Sequence, residues 1–207
     1  MKNNCLLQEV GSMTVTIGVL GIQGAVTEHI KKLEQLPKVK AVLVKSIEAL
    51  QQIDGLILPG GESTAIARIL QDFQIFESLQ KKITAGLPVW GTCAGMILLA
   101  KKILDSDMTH LGVMHITVKR NAYGRQLGSF SILETVPAIS DQPIPLVFIR
   151  APFALEAADQ VEILHILDGK IVACREQHML ATAFHPELTD DLSFHRYFVK
   201  MVQQYKL

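Results

Sequence analysis

Short apolar segments alternate with helical ones through the first half of the chain, and this alternation limits the fold more than any other feature. The predicted strands are brief apolar runs at residues 14–20, 39–44, 55–58 and 88–90. Helical periodicity predicts helices at residues 24–36, 46–52, 63–85 and 94–102. Strand and helix units that follow each other in this way form a parallel sheet with helices on both faces.

The second half of the chain has a different pattern, in which turn residues separate short strands. These strands are predicted at residues 114–119, 129–136, 146–149, 161–167, 170–174 and 179–184. A last helix is expected at residues 190–205, with Thr189 or Asp190 as its N-cap. We therefore predict a single-domain, three-layer α/β fold. Its central sheet is mainly parallel and flanked by helices, and antiparallel strands follow in the C-terminal half.

The first twelve residues do not share the apolar periodicity of the rest. They are polar and mixed, and they end in Gly11-Ser12 before Met13. This pattern indicates a tag or flexible extension at residues 1–12, with a native N-terminal tail as the alternative. We expect one domain at residues 13–207, because single α/β domains often have about 200 residues.

Charge and cysteine content exclude several classes of function. The chain has 20 Lys and Arg against 20 Asp and Glu, so it has no basic surplus for nucleic acid or an anionic membrane. Its 3 cysteines include no Cys-x-x-Cys pair, which argues against a disulfide framework and against a metal site. Neither a secretory signal nor a membrane-spanning apolar run is present. We expect a cytoplasmic protein.

The segment Gly91-Thr-Cys-Ala-Gly95 is the strongest chemical signal. It lies between a predicted strand and a predicted helix, and it has the Gly-x-nucleophile-x-Gly form of a nucleophile elbow. The glycines permit a sharp turn that presents Cys93, and the N-terminus of the following helix favours a thiolate. The alternative is a buried structural cysteine beside ordinary turn glycines.

A thiolate nucleophile needs a base, and His185-Pro-Glu187 supplies one together with a group to orient it. Residues two apart in an extended chain point to the same face, so Glu187 could bind the far side of the His185 ring. Such a pair alone has little weight, since it is usually solvated at a surface turn. It gains weight from lying downstream of a cysteine elbow.

A third motif, Pro59-Gly-Gly-Glu-Ser63, follows the third predicted strand. Parallel sheets place their sites at the carboxyl ends of the strands, so backbone N–H groups of the Gly60-Gly61 turn and of Ala94 could form an oxyanion hole. The alternative is a tight turn with Ser63 as helix N-cap. A phosphate-binding loop is disfavoured because no Gly-x-x-x-x-Gly-Lys-Ser/Thr pattern is present.

The remaining cysteine and histidines are interpreted as structural or surface residues. Cys174 is predicted to be in the core, and His195 is predicted to be solvated on the last helix. The histidines without ligand-like spacing are His29, His110, His115, His165 and His178.

Taken together and in this order, the three motifs resemble those of the triad glutamine amidotransferases. The chain is similar, more narrowly, to the family of glutaminase subunits of pyridoxal 5'-phosphate synthases, over about residues 14–205. The segments that carry the narrower resemblance are Gly18-Val-Leu-Gly-Ile-Gln-Gly-Ala25, Asp54-Gly-Leu-Ile-Leu-Pro-Gly-Gly-Glu-Ser63, Arg120-Asn-Ala-Tyr-Gly-Arg-Gln126, Phe148-Ile-Arg-Ala-Pro152 and His185-Pro-Glu-Leu-Thr-Asp-Asp191. The departures are mild and spare the triad; they are Met96, Ala122, Tyr123 and Phe153.

The resemblance implies a role for each matching residue. Cys93, His185 and Glu187 would form the catalytic triad, and Gly61 and Ala94 would supply the oxyanion hole. The residues implied to bind or frame L-glutamine are Gly61, Glu62, Ser63, Arg120, Ile149 and Arg150. No metal or organic cofactor is implied.

The activity implied is hydrolysis of L-glutamine to L-glutamate and ammonia through a thioester. The ammonia would pass to a (β/α)8-barrel subunit of pyridoxal 5'-phosphate synthase within a heteromeric complex. Because Gly60-Gly61 is flexible enough to flip a peptide, we expect weak activity alone and activation by the partner. The alternatives are a glutaminase for another synthase, a cysteine hydrolase or peptidase, and a non-enzymatic docking subunit.

Overall fold

A computed structural model describes residues 13–120 and 129–206 of the chain. The predicted extension at residues 1–12 lies outside the described residues, as do Ala122 and Tyr123. Within the described residues the strands are β1 Val15–Leu20, β2 Val39–Val44, β3 Gly55–Leu58, β4 Val89–Thr92, β5 Ala100–Ile103, β6 Met114–Lys119, β7 Ser129–Glu134, β8 Ile144–Ile149, β9 Phe153–Ala157, β10 Glu162–Leu167, β11 Lys170–Glu176 and β12 Met179–Thr182. The helices are α1 Val26–Glu34, α2 Ile47–Gln51, α3 Ser63–Asp72, α4 Phe76–Thr84, α5 Ala94–Leu99 and α6 Ser193–Tyr205.

One large sheet contains ten of these strands. Its order is β2-β1-β3-β4-β12-β11-β9-β6-β5, and β10 pairs with β11. The first five strands in this order are parallel, whereas β11 is antiparallel to β12, β9 and β10. Strands β7 and β8 form a separate antiparallel pair. The predicted fold class, a mainly parallel sheet flanked by helices with antiparallel strands in the C-terminal half, is confirmed.

The register of the central strands brings the three sequence motifs together. Gly91 of β4 lies between Leu58 of β3 and Ala181 of β12. All three strands are buried along their length, and they end at the same edge of the sheet. The chain that follows each strand carries one motif, so residues far apart in sequence meet at this edge.

The long helix predicted at residues 63–85 is wrong, because the chain forms two helices there. Helix α3 ends at Asp72, and Gln74 has a left-handed φ of 59° before α4 begins at Phe76. The break leaves Phe73 exposed and buries Ile75. Apolar spacing continues on both sides of the break, so periodicity alone does not reveal it.

The helix predicted at residues 94–102 is also too long. Helix α5 ends at Leu99, and residues 100–103 form strand β5, which pairs in parallel with β6. In this strand Ala100 and Ile103 are buried while Lys101 and Lys102 are exposed. The two lysines therefore lie on a strand and not on a helix surface, because pairing with β6 outweighs their helical propensity.

Two further differences lie in the C-terminal half of the chain. Strand β9 was not predicted, although it links β11 to β6. The last helix begins at Ser193, and neither Thr189 nor Asp190 caps it; instead the Asp191 carboxylate accepts a hydrogen bond from the Ser193 N–H at 2.8 Å. None of the helices in the described ranges has the length and apolar character needed to cross a membrane.

Candidate active site

Cys93 occupies a strained turn between β4 and α5. Its φ is 49°, a left-handed value, and its N–H donates to the Thr182 carbonyl at 2.8 Å. The flanking glycines are required sterically. A β-carbon on Gly91 would lie 2.4 Å from the Gly95 backbone, and one on Gly95 would lie 2.2 Å from the Leu58 carbonyl oxygen. The predicted elbow is therefore present, with the thiol at the start of a helix.

His185 and Glu187 are in contact, although not through the extended chain that the sequence predicted. Residues Pro186–Leu188 form a 3-10 turn that brings the Glu187 carboxylate to the His185 ring. The His185 Nδ1 lies 2.7 Å from Glu187 Oε1. The backbone N–H of His185 donates to the Val147 carbonyl at 2.8 Å, so strand β8 fixes the backbone beneath the ring.

The environment of His185 favours the imidazolium. Burial alone would lower the pKa of His185, but hydrogen bonds with Cys93 and Glu187, together with their negative charge, raise it to about 10. Cys93 Sγ also lies 3.9 Å from the Ile149 carbonyl oxygen. The imidazole thus contacts the thiol on one side and the carboxylate on the other, as nucleophilic catalysis requires.

The Gly60-Gly61 turn covers the triad. A β-carbon on Gly60 would lie 2.5 Å from His185 Cε1, and Gly61 has a φ of 149°. The next residue, Glu62, caps α3 by accepting hydrogen bonds from the N–H groups of Thr64 and Ala65. The alternative with Ser63 as N-cap is therefore wrong: Ser63 is the first residue of the helix and is buried.

A cavity of about 420 Å³ lies in front of the elbow. Nine of the residues predicted from sequence line it: Gly61, Glu62, Ser63, Cys93, Ala94, Arg120, Ile149, Arg150 and His185. Glu187 lies behind His185, outside the lining. Sequence reasoning missed three lining residues, which are Gln23, Ile97 and Pro152.

Two of the missed residues lie in segments that resemble the family. Gln23 belongs to the segment that follows β1, and its Oε1 accepts a hydrogen bond from the Glu62 N–H at 2.9 Å. Pro152 ends the segment that begins at Phe148. Ile97 lies one turn into α5, where only the cavity itself marks it. A larger cavity of about 570 Å³, beside Gln80 and Lys101, holds no triad residue.

Both signs of charge line the cavity at the elbow. Burial alone would raise the pKa of Glu62, but the two capping N–H groups and the nearby Arg120 lower it on balance. Arg120 Nη1 donates to Thr64 Oγ1 at 3.1 Å, and Arg150 is exposed with a φ of 44°. One carboxylate and two guanidinium groups suit a zwitterionic ligand of amino-acid size.

Two histidines lie behind the triad and are fully buried. His195 was predicted to be solvated, and this is wrong: the ring packs edge-on against Trp90, with centroids 5.0 Å apart. Its Nε2 lies 3.1 Å from His29 Nδ1. The interpretation failed because the spacing to Asp191 gave no sign that this face of α6 covers the sheet. Cys174 is buried as predicted.

Comparison with known proteins gives consistent matches over nearly the whole chain. A sequence model of the SNO glutamine amidotransferase family matches residues 19–204. Pyridoxal 5'-phosphate synthase subunit PdxT of Ruminiclostridium cellulolyticum is 57% identical over 186 residues, which cover 90% of this chain and 98% of that protein. The PdxT subunit of Caldanaerobacter subterraneus subsp. tengcongensis is 52% identical over 185 residues, covering 89% and 98%.

Solved structures show the same likeness. A glutamine amidotransferase crystal structure has 39% sequence identity and a TM-score of 0.84, covering 90% of this chain and 98% of that chain. A glutamine amidotransferase from Thermotoga maritima has a TM-score of 0.54 at 14% identity, covering 93% of this chain and 82% of that chain. The second similarity is one of fold alone.

Proposed function

Because this chain belongs to the SNO glutamine amidotransferase family, we propose that Cys93, His185 and Glu187 are its catalytic triad. The protein is a glutaminase that hydrolyses L-glutamine to L-glutamate and ammonia for pyridoxal 5'-phosphate synthesis. The observation that carries the residue assignment is the position of His185. It lies between Glu187 and Cys93 at the wall of a cavity lined by the predicted substrate residues.

The first half-reaction forms a thioester. The Cys93 thiolate attacks the side-chain carboxamide carbon of glutamine, and a C–S bond forms while the carbonyl electrons move to oxygen. Backbone N–H groups of Gly61 and Ala94 stabilise this oxyanion. The oxyanion then collapses and the C–N bond breaks. The His185 imidazolium gives its proton to the leaving nitrogen, which departs as ammonia.

The second half-reaction regenerates the enzyme. Neutral His185 takes a proton from water, and the resulting hydroxide attacks the thioester carbon. The second tetrahedral intermediate uses the same two N–H groups. Its collapse breaks the C–S bond, releases glutamate, and restores the thiolate beside a protonated His185. Each half-reaction therefore uses His185 once, as acid and then as base.

The charges of the cavity support selectivity for a free amino acid. We assign Glu62 to the α-ammonium group of glutamine and Arg120 and Arg150 to its α-carboxylate. Ser63 and Ile149 frame the side chain between them. A peptide-bound glutamine lacks both charges, so this assignment disfavours the alternative of a peptidase.

The glutaminase works with a synthase partner, since its relatives are subunits of pyridoxal 5'-phosphate synthase. We propose that the partner is a (β/α)8 barrel that accepts ammonia directly within a heteromeric complex.

We also propose that residues 13–207 form the amidotransferase domain. Two buried free thiols, Cys93 and Cys174, suit a reducing compartment, and we propose the cytoplasm.

The test is glutamate release from L-glutamine, measured with and without a pyridoxal 5'-phosphate synthase subunit. We expect weak release alone and stimulated release in the complex, because the Gly60-Gly61 peptide must be oriented for the oxyanion. Cys93→Ala should reduce release to background. Glu187→Gln should lower kcat by at least about 100-fold yet leave measurable turnover. Equal activity with and without the partner would contradict the activation, and full activity of Cys93→Ala would contradict the triad.

A further inference from the structure

The Glu187 carboxylate has one oxygen that the triad leaves unused. Its side chain is completely buried, and Oε1 accepts the hydrogen bond from His185. Among the described residues, Oε2 has no hydrogen-bond partner. Burial of a carboxylate with a single hydrogen-bond donor costs free energy, so a second donor near Oε2 is expected.

His29 of helix α1 is the group nearest to that oxygen. Its Nε2 lies 3.4 Å from Glu187 Oε2, slightly too far for a well-formed hydrogen bond in this structure. The same nitrogen lies 3.3 Å from Thr92 Oγ1. The other ring nitrogen, Nδ1, faces His195 Nε2 at 3.1 Å. Both rings are fully buried, so neither can exchange these partners for bulk water.

The arrangement selects one tautomer of each ring. If His29 carried its proton on Nδ1, its bare Nε2 would face the carboxylate, and two lone pairs would lie 3.4 Å apart in a buried space. If the proton is on Nε2, the N–H donates to Thr92 Oγ1 with Glu187 Oε2 beside it at 3.4 Å, while Nδ1 accepts from the His195 Nε2–H. The second arrangement leaves only a bare His195 Nδ1, which has no partner among the described residues.

Burial, with surrounding charges, keeps both rings neutral. Burial lowers the pKa of His29 well below its ordinary value, and the neighbouring His195 and His185 lower it further. Burial and the charge of Lys32 lower the pKa of His195 to about 3. Lys32 itself lies 3.6 Å from Asp190. His29 is therefore a neutral ring beside Glu187 and does not cancel the charge that supports His185.

We propose that His29, held in the Nε2–H tautomer by His195, is a positioning residue that donates to Glu187 Oε2 and fixes the carboxylate against His185. This inference rests on the proposed glutaminase function. A donor at Oε2 keeps the carboxylate aligned, so that Oε1 can stabilise the His185 imidazolium whenever the ring is protonated during the catalytic cycle. His29 makes no contact with the cavity, so its effect is on turnover and not on glutamine binding.

The kinetic test compares three variants with the wild type, each in complex with the synthase subunit. His29→Leu removes the donor at similar volume, and His29→Gln keeps an N–H near the position of Nε2. We expect His29→Leu to lower kcat by about tenfold or more, with KM within about twofold, and His29→Gln to recover most of the loss. His178→Leu is the matched control, since His178 is also buried and bonded, through Nε2, to the Ile83 carbonyl at 2.7 Å.

A second readout needs no glutamine. The rate of Cys93 alkylation by iodoacetamide is measured against pH, with the Cys93 peptide quantified by mass spectrometry. Loss of the second donor weakens the hold of Glu187 on the imidazolium, so the step in the alkylation rate that accompanies loss of the His185 proton should move to lower pH in His29→Leu. His29→Gln and His178→Leu should keep this step at its wild-type pH.

The wild-type protein supplies a third readout that does not depend on how a variant folds. Long-range ¹H–¹⁵N NMR of ring-labelled histidine should show His29 protonated at Nε2. A proton on Nδ1, or a kcat of His29→Leu equal to that of His178→Leu, would overturn the inference. If wild-type protein released no glutamate, the proposed function would fail. The tautomer and the alkylation profile would still decide the role of His29.

Discussion

Gly60 faces the His185 ring so closely that a β-carbon on the glycine would lie 2.5 Å from the ring atom Cε1. The same β-carbon would lie 3.4 Å from the Cys93 β-carbon, so this glycine lies over the contact between Cys93 and His185. No side chain fits there while His185 keeps its place. The glycine that the sequence placed in the proposed oxyanion turn thus also leaves the space that the His185 ring occupies.

Gly60→Ala should therefore damage catalysis more than stability. The methyl group would displace the imidazole, and a misplacement of about 1 Å can lower turnover by about 100-fold. Gly55→Ala is the matched control, because its β-carbon would lie equally close, at 2.5 Å, to the Val202 side chain, away from the triad. We expect Gly55→Ala to lower Tm but keep kcat. Equal kcat losses in both variants would contradict the spacer role.

The two described cysteines should differ sharply in reactivity. Cys174 is fully buried in β11, and burial, with the nearby Glu176, raises its pKa to about 12. Cys93 lines the cavity beside His185. Brief treatment of the native protein with iodoacetamide should modify Cys93 and spare Cys174, as read by peptide mass spectrometry. Modification of both at similar rates would show that the β11 core opens readily.

Alkaline pH should weaken the fold through His185. Its pKa is about 10 in the folded protein, against about 6.5 when unfolded, so the folded state binds more protons between these values. The stabilisation is complete below about pH 6.5 and is lost as pH rises towards about 10. Its slope is at most about 1.4 kcal/mol per pH unit.

Urea unfolding between pH 6 and 9.5 measures this effect. The background is Cys93→Ala, which removes the thiol from the measurement. That background removes one of the hydrogen bonds that raise the pKa of His185. The pH range over which stability declines therefore becomes narrower, but stability still falls as pH rises. Adding His185→Gln should flatten the decline. An unchanged slope in the double variant would refute the assignment to His185.

Acidic pH should weaken the fold through the buried histidine pair. The pKa of His195 is lowered to about 3 by burial and by Lys32, so the unfolded chain takes up a proton first as pH falls below about 6.5. The free energy of unfolding should fall across this range. His195→Gln lacks the titrating ring, so its unfolding free energy should fall less between pH 6.5 and 4.5. A steeper fall in that variant would contradict this explanation.

The sequence predicted much of the fold because local pattern and topology agreed in the parallel half. Four short apolar runs and the helices between them were assigned from periodicity alone. The strand that begins at Ala100 was missed because it depends on pairing with β6, and the break at Gln74 was missed because neither glycine nor proline marks it. Apolar spacing stays helical through both segments, so periodicity in one sequence reveals neither feature.

The site was more predictable than its surroundings. Cys93, Glu62 and His185 lie in motifs whose glycines and proline mark sharp turns next to strands. Their proximity follows from strand order, because β3, β4 and β12 are neighbours. Ile97 carries no such mark and was missed, whereas Gln23 lies between Gly21 and Gly24 directly after β1 and was given no role from the sequence. His195 was placed in solvent because helical spacing shows which residues share a face but not which face covers the sheet.

The pairing of β4 with β12 has a consequence for how the enzyme is made. The two strands are neighbours in the sheet, but the whole antiparallel half of the chain is synthesised between them. Cys93, the proposed nucleophile, therefore leaves the ribosome well before His185, its proposed base. A growing chain carries this thiol before the imidazole that would serve it has been made. The proposed triad is complete only when β12 pairs with β4, because His185 follows β12 and Cys93 follows β4.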